Sequence, residues 1–342
     1  MPTQSFLELS DVPEPMFQRL IERSLWHRYN RSYLQTARDR TLGMLFFNPS
    51  LRTRTSMELA AQQLGALSTT IIPGQGTWGF AWEEGVPMVG EASEHIKEAV
   101  GVLSRYVDAL GVRAFATRVD YEADRTDRAL HTIDRYADVP VINLESAFFH
   151  PCQGLADASV LSDHFKGNVR RKKFVLAWCY HPRPLPMAVP NSALLMASRL
   201  GMEVTVAAPS GFALDEGILS RAAAIAEAQG GSVSTVSSLD AAVEGADVIY
   251  AKAWAGLNAY TNADQEAAQR QMHQDWRITD HRMKRTDSGV FMHCLPVRRN
   301  VVVDDAVLDG NHTLHLDQAA FRLHAAKAIL EYVWDVLPTS GA

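Results

Sequence analysis

The sequence predicts an α/β protein built from two doubly wound parallel-sheet domains, and three observations lead to this fold class. Strand-like apolar runs alternate with helical patterns along the chain, which is typical of parallel sheets with helices on both faces. A chain of 342 residues is longer than one hydrophobic core usually serves. The contents of 47% hydrophobic and 21% charged residues are those of a soluble globular protein.

The first half of the chain follows this alternation. Strands are predicted where apolar and β-branched residues run together, and helices where apolar residues recur at helical spacing. The predicted strands are 42–47, 67–72, 109–113 and 139–144. The predicted helices are 15–29, 57–64 with a first turn that begins near Ser50, 93–106 and 121–137.

The second half repeats the alternation and closes with a long amphipathic helix. The predicted strands are 174–179, 203–208, 232–236, 246–251 and 289–293. The predicted helices are 155–164, 188–200, 216–228, 239–245 and 317–337. Because the two sets separate near residue 150, we expect domains 1–150 and 151–316, with the C-terminal segment 317–342 packing back on the first domain.

Charge and cysteine content narrow the functional classes. The net charge of −6 argues against a general nucleic-acid binder but permits a local basic pocket. Residues 1–12 lack the pattern of a signal peptide, and no apolar run reaches membrane-spanning length. Cys152, Cys179 and Cys294 are far apart and odd in number, so we expect reduced thiols in a cytoplasmic protein with neither membrane nor nucleic-acid partners.

A Gly-rich segment after the second strand resembles a dinucleotide-binding turn. Residues 74–79 read Gly-Gln-Gly-Thr-Trp-Gly and match G-x-G-x-x-G. A dinucleotide site needs a helix immediately afterwards, whereas residues 80–87 contain Gly and Pro, which break helices. We therefore predict a mobile loop, of the kind that covers a site or reaches a neighbouring subunit.

An anion site is predicted where the first strand passes into its helix. Residues 50–54 read Ser-Leu-Arg-Thr-Arg. A helix N-terminus presents unpaired backbone N–H groups and the positive end of the helix dipole, and arginine forks suit phosphate oxygens. The alternative is a Ser N-cap with two solvated arginines. Two cations in a first turn oppose the dipole, which favours a bound anion.

Further polar residues follow other predicted strands, at the sheet edge where ligands of open α/β sheets bind. His150 and Gln153 stand three apart on one turn, so both can donate to one carbonyl oxygen. The residues singled out at these strand ends are Arg113, Glu145, His150, Gln153, His181, Arg183, Lys252, Cys294, Leu295 and Arg298.

Metal binding and thiol catalysis are the alternatives for the Cys and His residues. The short pairs Cys179-x-His181 and His150-x-Cys152 lack a C-x-x-C pair or a second matching half, so no metal site is predicted. His293 and Cys294 are adjacent on a strand and point to opposite faces, which places His293 poorly for deprotonating the thiol.

Together these motifs resemble those of the aspartate/ornithine carbamoyltransferases. Residues 50–54 resemble the carbamoyl phosphate signature, usually S-T-R-T-R, with Leu51 in place of Thr. Residues 150–153 resemble H-P-x-Q, and residues 293–296 resemble the H-C-L-P motif of the ornithine branch. Arg322 matches a late arginine that reaches the carbamoyl group. The resemblance covers nearly the whole chain.

The resemblance implies transfer of a carbamoyl group from carbamoyl phosphate to a neutral amine, with no metal or organic cofactor. It also implies a homotrimer with shared sites, to which the neighbouring subunit contributes Trp78. The implied carbamoyl phosphate ligands are Ser50, Leu51, Arg52, Thr53, Trp78, Arg113, His150, Gln153, Cys294, Leu295 and Arg322. The implied catalytic residues among them are Arg113, His150, Gln153, Cys294 and Arg322.

The acceptor amine is inferred from positions at which this chain differs from other members of the family. Ornithine enzymes carry an acidic D-x-x-x-S-M-G segment where residues 252–256 read Lys-Ala-Trp-Ala-Gly, and a lysine there would repel the α-ammonium of free ornithine. The chain therefore resembles the N-acylornithine branch. Enzymes acting on N-acetylornithine typically have Glu at the position of Ser93 and Lys at the position of Val302, and this chain has neither.

The sequence thus most resembles the N-succinylornithine carbamoyltransferases, although those have Pro, not Ser, before the Glu-His pair. The implied reaction converts N-succinyl-L-ornithine to N-succinyl-L-citrulline in arginine biosynthesis. An N-acetylornithine enzyme and a non-catalytic binding relative are the alternatives. The implied acylornithine-binding residues are Ser93, Glu145, His181, Arg183, Lys252, Cys294, Leu295 and Arg298.

Overall fold

The computed structural model describes residues 4–30 and 33–338, which form two compact units. The first unit comprises Met1–Ala116, Glu122–Cys152 and Arg322–Ala342, and the second comprises Thr117–Tyr121 and Gln153–Phe321. Each unit is built on its own parallel sheet. The α/β fold class predicted from the sequence is therefore confirmed.

The sheet of the first unit has the order β2–β1–β5–β6, so its topological switch point lies between β1 and β5. Phe46 at the end of β1 pairs with Arg113 of β5, which in turn pairs with Glu145 of β6. The register therefore brings three strand ends side by side. The strands of this unit are β1 (Thr41–Phe46), β2 (Leu67–Ile71), β3 (Phe80–Ala81), β4 (Glu94–His95), β5 (Ala109–Arg113) and β6 (Val141–Glu145).

The sheet of the second unit has the order β11–β10–β7–β8–β9, and its switch point lies between β10 and β7. Lys252 at the end of β10 pairs with Trp178 at the end of β7. The loops that follow these two strands therefore start next to each other. The strands are β7 (Lys173–Trp178), β8 (Glu203–Ala207), β9 (Ser232–Val236), β10 (Val248–Lys252) and β11 (Val290–Met292).

The helices connect these strands and cover the sheets. Three of them, the fourth, sixth and thirteenth in the chain, contain a boundary between the units. The helices are α1 (Glu14–Tyr29), α2 (Leu51–Gln63), α3 (Ile96–Leu103), α4 (Tyr121–Arg125), α5 (Arg128–Tyr136), α6 (Pro151–His164), α7 (Ala188–Arg199), α8 (Glu216–Ala228), α9 (Leu239–Ala242), α10 (Ala263–Gln271), α11 (Asp280–Met283), α12 (Asp305–Leu308) and α13 (His315–Val333).

Each unit has its own hydrophobic core. In the first, Leu45 and Val112 of the sheet pack with Val100 of α3 and Ile133 of α5. Burying each such side chain contributes about 1.5–3 kcal/mol relative to leaving it exposed. In the second, every residue of α7 is buried. The ring centroids of Trp178 and Phe212 lie 4.7 Å apart, an ordinary packing distance for aromatic pairs.

Several element boundaries differ from the prediction for local reasons. The predicted helix 121–137 is split into α4 and α5, because Asp127 adopts a left-handed conformation with φ 46°. The predicted helix 93–106 begins only at Ile96, since Glu94–His95 forms β4 and His95 caps the helix by accepting from Lys97 N at 3.1 Å. α6 begins earlier than predicted, at Pro151, whose fixed φ suits a first helical turn.

The sequence prediction also missed three short or polar helices, α10, α11 and α12. α10 is rich in Gln, Asp and Glu and lacks an apolar stripe, although Asn262 caps it by accepting from Gln265 N at 3.0 Å. The predicted mobile loop after residue 79 includes β3, which pairs with β4, and no helix follows the G-x-G-x-x-G match. Across residues 4–30 and 33–338, none of the helices has the length and apolarity needed to cross a membrane.

Candidate active site

The predicted anion site lies at the N-terminus of α2, which follows β1 in the first unit. Ser50 caps the helix, because its Oγ accepts from the backbone N of Thr53 at 3.1 Å. Thr53 is buried, whereas Leu51 is 77% exposed. Arg54 pairs with Glu58 at 3.0 Å on the exposed side, so the solvated alternative describes Arg54 but not the half-buried Arg52.

Arg322 of α13 reaches the same helix turn from far along the chain. Its Nη2 donates to Thr53 Oγ1 at 2.9 Å, and the residue is only 5% exposed. Burial lowers the pKa of Arg322, and the nearby guanidiniums of Arg113 and Arg52 lower it further, against the opposing effects of Cys152 and Glu145. Three guanidiniums therefore lie near a single carboxylate, that of Glu145, and a bound anion would reduce their mutual repulsion.

The ends of β5 and β6 supply a cation, a carboxylate and an imidazole. Arg113 Nη1 donates to Glu145 Oε2 at 2.5 Å, and its Nη2 donates to the carbonyl oxygen of Pro49 at 3.3 Å. His150 Nε2 lies 3.5 Å from the same Glu145 oxygen. The backbone before α2 is thus joined to the cluster, and Glu145 partly neutralises the arginines.

Buried hydrogen bonds hold the turn that comes just before His150, and the sequence analysis did not find them. Asp127 accepts from Ser146 Oγ at 2.6 Å and from Phe148 N at 2.9 Å. Ser146 Oγ in turn accepts from the backbone N of Phe149, the residue before His150, at 3.1 Å. An Asp before a helical pattern normally signals an N-cap, but the Asp127 side chain makes no capping bond to α5.

Trp78 and Ser93 belong to the segment around β3 and β4 of the first unit. The Trp78 ring is 54% exposed, and its Nε1 donates to Glu94 Oε2 at 2.6 Å. Ser93 is exposed and immediately precedes β4. The two residues are therefore joined through one short structural element, with Glu94 between them.

In the second unit, Gln153 is oriented by a carboxylate one helical turn away. Its Nε2 donates to Asp157 Oδ1 at 2.7 Å within α6. A carboxylate offers only acceptors, so this contact turns the amide nitrogen toward Asp157 and the amide oxygen to the opposite side. Asp157 therefore fixes which end of the Gln153 amide faces it.

The segment 293–295 after β11 is held in an unusual backbone conformation. Leu295 has a φ of 58°, and its backbone N donates to His293 Nδ1 at 2.9 Å. His293 N donates to Gln318 Oε1 at 2.9 Å. The imidazole of His293 therefore accepts a backbone hydrogen bond through Nδ1.

A basic group of side chains lies beyond β7, β10 and β11 in the second unit. Arg298 Nε donates to His181 Nε2 at 3.0 Å, and His181 Nδ1 lies 2.9 Å from the carbonyl oxygen and 3.0 Å from the backbone N of Arg183. Burial lowers the pKa of His181, as do the positive charges of Arg298, Lys252 and Arg270. This group suits a carboxylate ligand.

The three cysteines are buried thiols. None of the three is in a disulfide, and burial raises the pKa values of Cys152 and Cys179 to about 12, which disfavours thiolate chemistry at these two. Across the part of the chain that the structure describes, no group of three or more His, Cys, Asp or Glu residues is placed to hold a metal ion.

Comparison with known proteins identifies the class to which this fold and site belong. Residues 4–163 match the family model "Aspartate/ornithine carbamoyltransferase, carbamoyl-P binding domain". Residues 187–333 match the model "Aspartate/ornithine carbamoyltransferase, Asp/Orn binding domain". The chain belongs to the aspartate/ornithine carbamoyltransferase family and is a carbamoyltransferase.

Individual relatives place this chain in the N-acylornithine branch of that family. The N-acetylornithine carbamoyltransferase of Xanthomonas campestris pv. campestris is 42% identical, with 96% of this chain and 97% of the relative covered. The N-succinylornithine carbamoyltransferase of Bacteroides fragilis is 36% identical, with 90% and 91% covered.

Solved structures agree with this placement. Acetylornithine transcarbamylase complexed with acetylcitrulline has a TM-score of 0.94 at 41% identity, covering 96% of this chain and 99% of that chain. A glutamate-to-serine variant of N-acetyl-L-ornithine transcarbamylase, complexed with carbamyl phosphate and N-succinyl-L-norvaline, has a TM-score of 0.93 at 42% identity, covering 96% and 98%.

Proposed function

We propose that this carbamoyltransferase transfers the carbamoyl group of carbamoyl phosphate to the δ-amine of N-succinyl-L-ornithine. The products are N-succinyl-L-citrulline and phosphate, and the reaction belongs to arginine biosynthesis in the cytoplasm. The observation that carries the proposal is the combination of Ser93, small and exposed, with the basic group around His181 and Arg298. A neutral position 93 and a surplus of cations suit an acyl chain that ends in a carboxylate.

Carbamoyl phosphate binding is assigned first to residues of the first unit. The N-terminal N–H groups of α2, with Ser50, Arg52 and Thr53, would hold the phosphate. The surplus positive charge among Arg52, Arg113 and Arg322 supports this assignment. Arg113 and His150 would donate to the carbonyl oxygen, where negative charge develops in the tetrahedral intermediate. Preorganised donors of this kind are each worth about 10²–10³ in rate.

The second unit would orient the carbamoyl amino group and bind the acceptor. Gln153 and the backbone carbonyls of Cys294 and Leu295 would accept its N–H groups. The δ-amine must attack as the neutral species, since only then does it carry a lone pair. After attack on the carbonyl carbon, the intermediate collapses by breaking the C–O bond to phosphate, and the leaving phosphate takes the proton that the attacking nitrogen loses. Arg322 of the first unit would hold the carbamoyl group from the side of Thr53.

The acyl group is assigned from two positions. The family resemblance places a glutamate of the acetyl enzymes at Ser93 and a lysine at Val302. Val302 is only 2% exposed and its backbone bonds to Arg298 and Ile278, so this chain has an apolar, buried residue there. Serine, alanine and proline variants of one glutamate in N-acetyl-L-ornithine transcarbamylase were each solved with N-succinyl-L-norvaline, which supports a link between a neutral residue and a succinyl ligand.

The second candidate is N-acetyl-L-ornithine as the acceptor. It is favoured by the 42% identity to an N-acetylornithine carbamoyltransferase, against 36% to an N-succinylornithine enzyme. Overall identity reports the whole chain, whereas acyl choice depends on a few contacts. We therefore give more weight to Ser93 and the basic group.

We also propose a homotrimer in which Trp78 completes the site of a neighbouring subunit. The exposed Trp78 ring supports this, as do the exposed Leu51 and Leu67 side chains, which are 77% and 71% accessible.

A colorimetric assay for ureido products tests the reaction. Carbamoyl phosphate is combined with N-succinyl-L-ornithine, N-acetyl-L-ornithine or L-ornithine, and kcat/KM is measured for each. We expect the succinyl substrate to rank first and free ornithine to give no product. A higher kcat/KM for the acetyl substrate would establish the second candidate, and no ureido product with any amine would overturn the proposed function.

A further inference from the structure

A buried ion cluster in the first unit has no part in the function proposed so far. It consists of Glu331 of α13, Arg23 and His27 of α1, and Thr36, and we call it the Glu331 cluster. Glu331 is 0% exposed. Its carboxylate accepts from Arg23 Nε at 2.7 Å and Nη2 at 2.8 Å, and from Thr36 Oγ1 at 3.2 Å. His27 Nε2 lies 2.9 Å from the same carboxylate.

The charges of the cluster make these contacts directional. Burial opposes the ionisation of Glu331, but the hydrogen bonds from Arg23 and His27 hold its pKa below the ordinary value. Burial lowers the pKa of His27, so its imidazole is neutral at neutral pH. Because a carboxylate can only accept, His27 Nε2 carries the ring proton and donates it. Every contact therefore runs from a donor outside α13 to one acceptor on α13.

Most of the helix around Glu331 is apolar and could pack in more than one register. Five of its neighbours are buried and apolar, namely Ala325, Ala326, Ala328, Ile329 and Leu330. Apolar burial is non-directional. A buried ion pair adds little net stability over an apolar contact, and its best-attested use is to specify one register. The Glu331 cluster therefore distinguishes one register of α13 against α1.

The same register determines the place of Arg322. Arg322 begins the part of α13 that belongs to the first unit, and its Nη2 donates to Thr53 Oγ1 at 2.9 Å. Glu331 follows nine residues later, about 13.5 Å further along the helix axis. A shift of α13 by one residue would move Arg322 by about 1.5 Å and turn it by about 100° around the axis. The contact with Thr53 would not survive that shift.

We propose that Glu331 is a positioning residue for carbamoyl phosphate binding, and that it acts through Arg322 rather than by touching the ligand. The donors on α1 hold Glu331, and the stiff helix carries this placement to Arg322. The inference rests on the proposed function, in which Arg322 holds the carbamoyl group. A misplacement of about 1 Å in a ligand-binding group is enough to remove much of its effect.

Glu331→Gln tests the inference, because the amide keeps the size of the carboxylate but loses its charge and turns one acceptor into a donor. Calorimetric titration of the full-length protein should show a Kd for carbamoyl phosphate that is about tenfold higher, while circular dichroism shows an intact fold. Arg23→Lys is a milder second variant, since it keeps the charge but lacks the planar fork. It should raise the Kd by a smaller factor.

Asp108→Asn is the matched control in the same unit. Asp108 also accepts from an arginine, Arg40, at 3.1 Å, and from the backbone N of Thr41 at 2.8 Å. These residues lie where β1 and β5 begin, at the sheet edge opposite to Arg113. Both Asp108→Asn and Glu331→Gln should lower Tm, but only Glu331→Gln should raise the Kd.

A double-mutant cycle with Arg322→Ala separates positioning from general damage. Once Arg322 is gone, Glu331→Gln should raise the Kd further by less than about twofold. Equal effects of Glu331→Gln with and without Arg322 would overturn the inference, as would an unchanged Kd in folded Glu331→Gln and Arg23→Lys proteins. A wild-type protein that neither binds carbamoyl phosphate nor forms a ureido product would instead refute the proposed function.

Discussion

Two arginines at the start of α2 differ in role although they are two residues apart. Arg52 is half-buried and close enough to Arg322 to affect its pKa, whereas Arg54 pairs with Glu58 in solvent. The sequence pattern treats them alike, since both are cations in the first turn of a helix. Their surroundings separate them, and this makes Arg54 a natural control for Arg52.

Arg52→Ala should nearly abolish carbamoyl transfer without unfolding the protein. A charge-assisted hydrogen bond to the phosphate is worth about 1.5–3 kcal/mol, and removing it should raise the Kd for carbamoyl phosphate by about 10–150-fold. Calorimetric titration and circular dichroism check the two halves of the prediction. Arg54→Ala should change the Kd less than about threefold. Equal effects of both substitutions would mean that Arg52 is not the phosphate ligand.

Ser93→Glu should shift acyl selectivity away from the succinyl substrate. A carboxylate at position 93 would repel the succinyl carboxylate, so KM for N-succinyl-L-ornithine should rise by about one to two orders of magnitude, at about 1.4 kcal/mol per tenfold. Use of N-acetyl-L-ornithine should improve in part, because Val302 is unchanged. Ser93→Ala, which adds no charge, should keep the wild-type preference. If Ser93→Glu leaves both KM values unchanged, position 93 does not contact the acyl chain.

At the scale of elements, the turn between β6 and α6 is held by the buried carboxyl group of Asp127, the residue before α5. Burial raises the pKa of Asp127 from 3.8 to about 7, despite the hydrogen bonds from Ser146 and Phe148 that oppose the shift. A neutral Asp127 can still accept from Phe148 N with one oxygen and donate to Ser146 Oγ with the other. The turn that carries Glu145 and His150 is therefore compatible with a protonated Asp127.

This raised pKa makes the contribution of Asp127 to the free energy of unfolding fall as the pH rises. Between the unfolded pKa near 3.8 and the folded pKa of about 7, the folded protein binds more protons than the unfolded one. The stabilising contribution of Asp127 is thus fully present below the unfolded pKa and is lost as the pH rises through the folded pKa. Urea denaturation at about pH 5 and about pH 8 should show a smaller wild-type advantage over Asp127→Asn at the higher pH. An advantage that grows with pH would contradict this assignment.

At the scale of the whole molecule, a shared site predicts complementation between inactive subunits. Arg52→Ala and Trp78→Ala each remove a different residue, so mixed trimers would contain some sites with both residues intact. Mixing the two variants should restore part of the wild-type activity, roughly in proportion to the fraction of mixed interfaces. Subunit exchange is verified first with differently tagged chains. Activity no higher than that of the parents would argue against shared sites, and a monomer in ultracentrifugation would refute the trimer.

The sequence by itself determined the alternation of strands and helices and the motifs at the strand ends. These features are local, because hydrophobic periodicity, a Ser cap and a Pro at a first helical turn act within a few residues of chain. The two parallel sheets and the N-terminus of α2 lie where those signals predicted them. Polar helices such as α10 escaped prediction, because their stability comes from packing and capping rather than from an apolar stripe.

Only the tertiary structure decided which polar groups meet. Arg322 donates to Thr53 across 269 residues, and Gln318 donates to Asp157 across 161. No local pattern encodes such a pair, because any of many buried carboxylates and amides could in principle satisfy one another. The Gln153–Asp157 contact, four residues apart on a helix, was within reach of a spacing argument. The two other donors to Asp157, Tyr250 and Gln318, are brought to it by the folding of a whole sheet and a distant helix.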